Sequence, residues 1–168
     1  MKDNVVLIGM PGSGKTSVGR CFADLTAMSF LDLDTEIEQL AGITIPRIFS
    51  EKGEDIFRRM ETVCAQRAAQ LKGRVIACGG GIVLRHENMD ALKATGLVVF
   101  LDRNLEDLCA ASLPGRPLIN GGVNRVRELY GQRIGLYRRY ADLTVDSSAA
   151  PPVVAQLLWE ALRRAGEV

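Results

Sequence analysis

The chain has 168 residues and a net charge of +1, with 21 basic and 20 acidic side chains. This length suits one domain whose core is large enough to fold without disulfides or a structural metal. The nearly balanced charge argues against broad electrostatic binding to nucleic acid or to an anionic membrane. The four cysteines are widely spaced, and no signal-peptide pattern or long apolar run is present. We therefore expect a protein of the reducing cytoplasm.

Apolar runs alternate with amphipathic helical patterns along the whole chain. The runs predict strands over residues 4–8, 29–33, 74–78, 97–101 and 143–146, and the clearest helical pattern covers residues 54–71. Strands separated by helices predict right-handed βαβ units and a parallel sheet. Ligands bind such sheets at the carboxyl ends of the strands, so the residues that directly follow each strand are the candidates for a site.

The segment after the first strand, residues 9–16, reads G-M-P-G-S-G-K-T and fits the phosphate-loop pattern G-x-x-x-x-G-K-[ST]. Its glycines let backbone N–H groups turn toward a phosphate, and the following helix N-terminus adds positive potential. A glycine turn that merely caps an ordinary helix is the alternative interpretation. The pattern predicts a nucleoside triphosphate site formed by Gly12, Ser13, Gly14, Lys15, Thr16 and Ser17. Lys15 then contacts the β- and γ-phosphates and the Thr16 hydroxyl binds Mg²⁺.

Two carboxylates, Asp32 and Asp34, close the second predicted strand. Because side chains alternate along a strand, they are expected to point the same way. One carboxylate can hold Mg²⁺ through its water shell, and the other can accept a proton from an attacking hydroxyl. The alternatives are that Asp34 only caps the next helix, and that Asp102, after the fourth strand, is the metal ligand. We rank Asp32 above Asp102 because Asp32 has a paired acid.

Arginines on two helices are candidates for binding an anionic substrate. Arg58 and Glu61 are i,i+3 neighbours, so the carboxylate can orient a guanidinium that binds a substrate carboxylate. Arg138 and Arg139 close a later helix, where one of them faces inward as a second anion contact. A solvated ion pair and a helix C-terminal charge pair are the respective alternatives.

Two glycine-rich stretches complete the candidate site. Gly79, Gly80 and Gly81 directly follow the third strand and permit close approach by a ligand, with a flexible turn as the weaker alternative. A loop at about residues 111–123, with two prolines and Arg116, is long enough to act as a lid, although it can also be a plain surface loop.

Together these motifs resemble the shikimate kinase family, nearly end to end. The resemblance rests on the phosphate loop, D-L-D at residues 32–34, F-R-R-M-E at 57–61, G-G-G at 79–81, R-P-L at 116–118 and L-Y-R-R at 136–139. The phosphate loop is shared by a very large class, whereas the other motifs in this order are much more specific. The resemblance implies an α/β, three-layer P-loop NTPase fold with a five-stranded parallel sheet, helices on both faces and a mobile lid. It also implies one domain over residues 1–168, with the acceptor-binding part at about 34–61 and the lid at about 111–123.

The activity implied by the resemblance is transfer of the γ-phosphoryl group of ATP to the 3-hydroxyl of shikimate, in aromatic amino-acid biosynthesis. Mg²⁺ is the implied cofactor, ATP and shikimate are the implied partners, and a monomer is expected. Lys15, Asp34 and Arg116 are the implied catalytic residues, with Asp34 as base and Arg116 closing on the phosphoryl group and the nucleotide. Thr16 and Asp32 serve the metal. Shikimate is bound by Asp34, Phe49, Phe57, Arg58, Gly79, Gly80, Gly81 and Arg138.

The chain departs from the family pattern at two places. Many members have Thr or Ser where this chain has Cys78. The family often stacks adenine between two arginines, but residues 108–111 and 146–150 contain none. We therefore expect weaker stacking and a looser nucleotide preference. The other functions that fit the residues are a kinase for another polyol acid, such as gluconate, and a P-loop binding module without activity.

Overall fold

The computed structural model describes residues 2–111 and 121–167 of the chain. Within them, five parallel strands form one sheet in the order β2-β3-β1-β4-β5. The strands are β1 Asn4–Ile8, β2 Ser29–Asp32, β3 Arg74–Ala77, β4 Gly96–Asp102 and β5 Leu143–Asp146. The helices are α1 Lys15–Thr26, α2 Leu33–Ala41, α3 Ile45–Lys52, α4 Glu54–Ala69, α5 His86–Thr95, α6 Leu105–Ala111, α7 Gly122–Tyr140 and α8 Pro151–Arg164, with a 3₁₀ turn at Ile82–Leu84.

Helices cover both faces of the sheet, which makes three layers. Alternation along β1 sends Val5 and Leu7 to one face and Val6 and Ile8 to the other. The first face packs against α1 and α8, while α2, α3, α4, α5 and α7 pack on the second. The predicted α/β architecture is confirmed, because buried β-branched runs and amphipathic helices leave few other arrangements.

The ends of two elements differ from the prediction in ways that matter for the site. Strand β2 ends at Asp32, and Asp34 lies in the first turn of α2. Strand β3 lies between β2 and β1, so Asp32 does not follow a strand adjacent to β1. The two carboxylates therefore do not point the same way from one strand, contrary to what the sequence pattern predicted, and helix geometry determines how they lie.

No helix within the described ranges has both the length and the apolar character needed to cross a lipid bilayer.

Candidate active site

The loop between β1 and α1 forms a cavity of about 360 Å³ at the carboxyl end of the sheet. Gly12 and Gly14 have φ values of 80° and 91°, a left-handed conformation that glycine adopts without strain. Five of the six loop residues that were predicted to bind the nucleotide line this cavity: Gly12, Gly14, Lys15, Thr16 and Ser17. The sixth, Ser13, is buried in the loop, and its Oγ accepts a hydrogen bond of 3.4 Å from Lys15 Nζ.

Lys15 is only 8% exposed, and its ammonium group lies against the carbonyls of its own loop. Nζ donates to Gly9 O at 2.7 Å and to Met10 O at 2.8 Å. Burial lowers the pKa of Lys15 to about 8, while the negative charges of Asp34 and Asp32 oppose this shift. A cation held at this position is available to a bound phosphate chain.

Arg103 supports the phosphate loop, although no sequence motif marked it as a site residue. Its Nη1 donates to Gly12 O at 2.7 Å, which joins the residue directly after β4 to the loop after β1. Because β1 and β4 are hydrogen-bonded neighbours, their carboxyl ends lie side by side. The sequence signal for Arg103 was a cationic residue directly after a predicted strand. Only the order of the strands shows that this residue lies beside the phosphate loop.

Asp32 has two structural partners in the phosphate cavity. Its Oδ1 accepts from the backbone N–H of Asp34 at 2.9 Å, which makes Asp32 the N-cap of α2, and its Oδ2 accepts from Thr16 Oγ1 at 2.8 Å. A hydroxyl and a carboxylate are hard oxygen donors that suit Mg²⁺. Across residues 2–111 and 121–167, no three or more His, Cys, Asp or Glu side chains cluster into a metal site. The donor set thus fits an ion that takes its other ligands from phosphate and water.

Asp34 lies in the wall between the phosphate cavity and a second, larger cavity, and it lines both. Pro11, Gly79 and Gly80 are the other residues common to the two linings. Although Asp34 is exposed where it lines the cavities, the surrounding protein partly desolvates its carboxylate. This desolvation, followed by the negative charge on Asp32, raises the pKa of Asp34. A carboxylate at this boundary is positioned to accept a proton from a group that enters from the second cavity.

The second cavity has a volume of about 670 Å³ and combines an apolar side with a cationic side. Phe49 and Phe57 form the apolar side, with ring centroids 4.6 Å apart. Arg58 lines the cavity beside them, and its Cζ lies 5.0 Å from the Phe57 ring centroid. This mixture suits a small ring that carries an acid group.

Glu61 holds the guanidinium of Arg58 in the cavity wall. Arg58 Nη1 donates to Glu61 Oε1 at 2.8 Å, and the two side chains are only 12% and 1% exposed. The alternative of a solvated ion pair is therefore excluded. Burial raises the pKa of Glu61, and the charge of Arg58 opposes that shift. Arg58 Nε and Glu61 Oε2 are buried and have no hydrogen-bond partner among the described residues, so the pair retains unused polar groups near the cavity.

The second arginine of the cavity is Arg133, not Arg138. Arg133 is buried on α7 and lines the cavity, whereas Arg138 is exposed and does not. This corrects the expectation from the sequence: five positions on an α-helix turn a side chain by about 140°. The available signal was the spacing of the buried residues of α7, which are Val126, Leu129, Arg133 and Tyr137. An arginine within an apolar stripe is unusual unless it is paired or binds a ligand.

Each of the three glycines after β3 lies where a side chain would collide with a neighbour. A Cβ on Gly79 would be 2.9 Å from Asp34 Oδ1, and one on Gly80 would be 2.7 Å from Pro11 Cδ. A Cβ on Gly81 would overlap the guanidinium of Arg58, at 2.6 Å from Cζ. The glycines thus leave room for site residues that pack closely against this turn.

Asp102, the rival metal ligand, borders a different cavity. It ends β4 and lines a space of about 330 Å³ together with Asp146, Ser148 and Tyr130. It does not line the phosphate cavity. Arg116 and most of the predicted lid at 111–123 fall at residues 112–120, outside the described residues.

Comparisons with known proteins agree with this arrangement. The family model described as shikimate kinase matches residues 11–163. A shikimate kinase of Symbiobacterium thermophilum is 41% identical, with 98% of each chain covered, and one of Clostridium beijerinckii is 41% identical, with 84% of each covered. The solved structure of an Acinetobacter baumannii shikimate kinase in complex with shikimate has a TM-score of 0.91 at 35% identity, covering 98% of this chain and 95% of that one. By sequence and by fold, the chain belongs to the shikimate kinase family.

Proposed function

We propose that this kinase transfers the γ-phosphoryl group of ATP to the 3-hydroxyl of shikimate, giving shikimate 3-phosphate and ADP for chorismate and aromatic amino-acid biosynthesis. The observation that carries the proposal is the common wall of the two cavities, in which Asp34 lies between the phosphate loop and an acceptor cavity with two arginines. Membership of the family supports the same reaction.

On this proposal, Arg58 and Arg133 bind the carboxylate of shikimate, and Phe49 and Phe57 pack against its ring. Arginine suits this role because its fork of N–H donors matches a carboxylate. The N–H groups of the phosphate loop and Lys15 hold the triphosphate. The acceptor hydroxyl is then directed toward Asp34 and the terminal phosphate, which supplies the alignment that phosphoryl transfer needs.

In the chemical step, the 3-oxygen of shikimate forms a bond to the γ-phosphorus while the bond from that phosphorus to the β,γ-bridging oxygen breaks. Asp34 takes the hydroxyl proton, and the electron pair of the broken bond stays on ADP. The raised pKa of Asp34 supports a base whose proton affinity is better matched to this transfer.

Thr16 and Asp32 are the residues that would hold Mg²⁺, which when bound neutralises charge on the phosphates. From the family resemblance, we assign Arg116 to the stabilisation of charge on the transferring group, with a rate effect of several kcal/mol. The four cysteines are free thiols, which supports a reducing, cytoplasmic setting. Since one chain supplies both cavity linings, we propose a monomer as the active unit.

The test is ADP release with Mg²⁺ and ATP, with and without shikimate, and with mass measurement of the product. We expect release to depend on shikimate and the product to gain one phosphoryl group. Shikimate that carries a keto group at carbon 3 is the matched control, because it keeps the carboxylate but lacks the attacked hydroxyl. Absence of stimulation by shikimate would contradict the proposal.

A kinase for another polyol acid is the second candidate, because Arg58 and Arg133 fit any small carboxylate. A panel that includes gluconate at equal concentration separates the two. Repeating the shikimate assay with GTP in place of ATP measures the looser nucleotide preference that we expect.

A further inference from the structure

Tyr137 lies behind the acceptor cavity and donates a hydrogen bond to a residue that lines it. The side chain is fully buried on α7 and is not part of the cavity lining. Its hydroxyl donates to Gly80 O at 2.6 Å, and its oxygen lies 3.9 Å from Met10 Sδ in the phosphate loop. One phenol thus contacts the glycine turn that lines both cavities.

Packing alone does not require a hydroxyl here. The ring of Tyr137 stacks on Phe100 with centroids 5.3 Å apart and 19° between planes, and a phenylalanine would do the same. A buried hydroxyl is unfavourable unless it is hydrogen-bonded, so its presence indicates a use for that bond. Burial raises the pKa of Tyr137 to about 12, which keeps the group protonated and able to donate.

The hydrogen bond fixes the direction of one peptide group. In a trans peptide the C=O and the following N–H point in opposite directions. With the Gly80 carbonyl directed at Tyr137, the N–H of Gly81 is directed away from Tyr137, toward the side on which both glycines line the cavity. Within residues 2–111 and 121–167, neither Gly80 nor Gly81 donates its N–H to another group.

Arg133 takes part in the same arrangement. It lies one helical turn before Tyr137, and its Nη1 is 3.3 Å from the position of a Cβ on Gly80. The positive charge of Arg133 acts on the Tyr137 phenol and opposes the rise of its pKa.

We propose that Tyr137 is a positioning residue for the acceptor. Its hydroxyl holds the Gly80–Gly81 peptide in one orientation, so that a buried phenol aligns a backbone N–H at the cavity that Arg133 also lines. This inference rests on the proposed function for the identity of the acceptor, but not for the peptide geometry.

The test compares Tyr137→Phe with Tyr140→Phe. Tyr140 is on the same helix, and its hydroxyl makes no hydrogen bond with the rest of the described structure. We expect Tyr137→Phe to lower kcat/KM for shikimate about tenfold, with KM for ATP changed less than about twofold. Tyr140→Phe should change neither. A fall in Tm for Tyr137→Phe with an unchanged kcat/KM for shikimate would overturn the proposal, because packing alone would then explain the residue.

A second measurement is independent of the reaction. In the ligand-free protein we expect Tyr137→Phe to move the Gly81 amide proton resonance upfield, because the peptide loses polarisation, while Tyr140→Phe leaves it in place. If Tyr137→Phe does not fold, incorporation of 3-fluorotyrosine, a more acidic donor, should move the same resonance downfield. A Gly81 resonance that does not respond would refute the positioning role even if shikimate is not the substrate. Failure of wild-type protein to phosphorylate shikimate, with the resonance responding, would refute the proposed function alone.

Discussion

Asp34 lies where the two cavities meet, and its environment disfavours the charged form of its carboxylate. We expect Asp34→Asn to lower kcat by about 10²–10⁴-fold, because the amide cannot accept the proton of the attacking hydroxyl. The Kd for ATP should change less than about twofold, as measured by calorimetry. Asp90→Asn, on the exposed surface of α5, is the control. Near-normal turnover of Asp34→Asn would remove its role as base.

The two arginines on α7 give a direct comparison of what sequence and structure assign. We expect Arg133→Met to raise KM for shikimate by more than about 30-fold, because a charged partner of the substrate carboxylate is lost from a desolvated site. Arg138→Met should stay within about twofold, since that side chain is exposed. Steady-state kinetics with varied shikimate checks both. The reverse order of effects would restore the assignment made from the sequence.

Sequence motifs identified a site residue correctly where the chemistry allows few residue types. They failed where the role of a residue depends on the direction in which its side chain points. Lys15 and Arg58 follow from the loop pattern and from an i,i+3 acid, and both line the expected cavities. Arg133 was missed because the L-Y-R-R stretch places two arginines at a helix end, whereas the buried face of α7 runs through Leu129 and Tyr137. The buried face depends on how α7 packs on the sheet, which no single motif records.

At the scale of elements, the turn after β3 and helix α4 depend on each other. The backbone at Gly81 lies so close to Arg58 that a methyl group there would overlap the guanidinium. We therefore expect Gly81→Ala to displace Arg58 and to raise KM for shikimate about tenfold or more. Gly135→Ala on α7 is the matched control, because its Cβ would enter open space within a helix. It should leave kinetics unchanged and raise Tm slightly. An unchanged KM in Gly81→Ala would show that the turn moves freely.

Asp32 performs two tasks at the junction of β2 and α2, and substitution can separate them. Asparagine remains a good N-cap, whereas it is a weaker partner than a carboxylate for Mg²⁺ and its waters. We expect Asp32→Asn to change Tm by less than about 2 °C but to raise the Mg²⁺ concentration for half-maximal rate about tenfold. Asp32→Ala should lower Tm as well, since the cap contributes about 1 kcal/mol. An unchanged Mg²⁺ requirement in both variants would argue against a metal role for Asp32.

The elements were easier to predict than their ends. Strand β1 and strand β5 have the predicted bounds, because each is an apolar run with β-branched residues and clear limits. Strand β2 was predicted one residue too long. The N–H of Asp34 is capped by the Asp32 carboxylate, so the helix begins earlier than the apolar pattern indicates. Capping of this kind competes with strand extension and is decided by local hydrogen bonds.

At the scale of the whole molecule, the buried ammonium of Lys15 couples stability to pH. Its pKa is about 8 in the folded protein, well below that of an ordinary lysine in the unfolded chain, which is about 10.4. Between these values the unfolded chain binds more protons, so stability rises with pH in that window. Below about pH 8 the charged form destabilises the fold to its full extent.

We therefore expect wild type to gain stability relative to Lys15→Met by about 1.4 kcal/mol per pH unit between about pH 8 and 10. Denaturant unfolding at pH 7, 8, 9 and 10 measures this difference, and comparison with the variant cancels the titration of groups that do not interact with Lys15. Lys93→Met, which removes a partly exposed lysine bonded to Asp142, is the control with an ordinary side chain. A difference that stays constant with pH would mean that Lys15 does not titrate in this range.

Among the described residues, Pro11, Asp34, Gly79 and Gly80 line both cavities, so an inhibitor can reach across from one cavity to the other. Such an inhibitor would join a ring acid to a phosphate chain through a link about as long as a phosphoryl group. Once one part is bound in its cavity, the link holds the other part at a high effective concentration near the second cavity. The ring half would give such a compound selectivity, because phosphate loops are common to many nucleotide-binding proteins while the arginine-lined cavity is not.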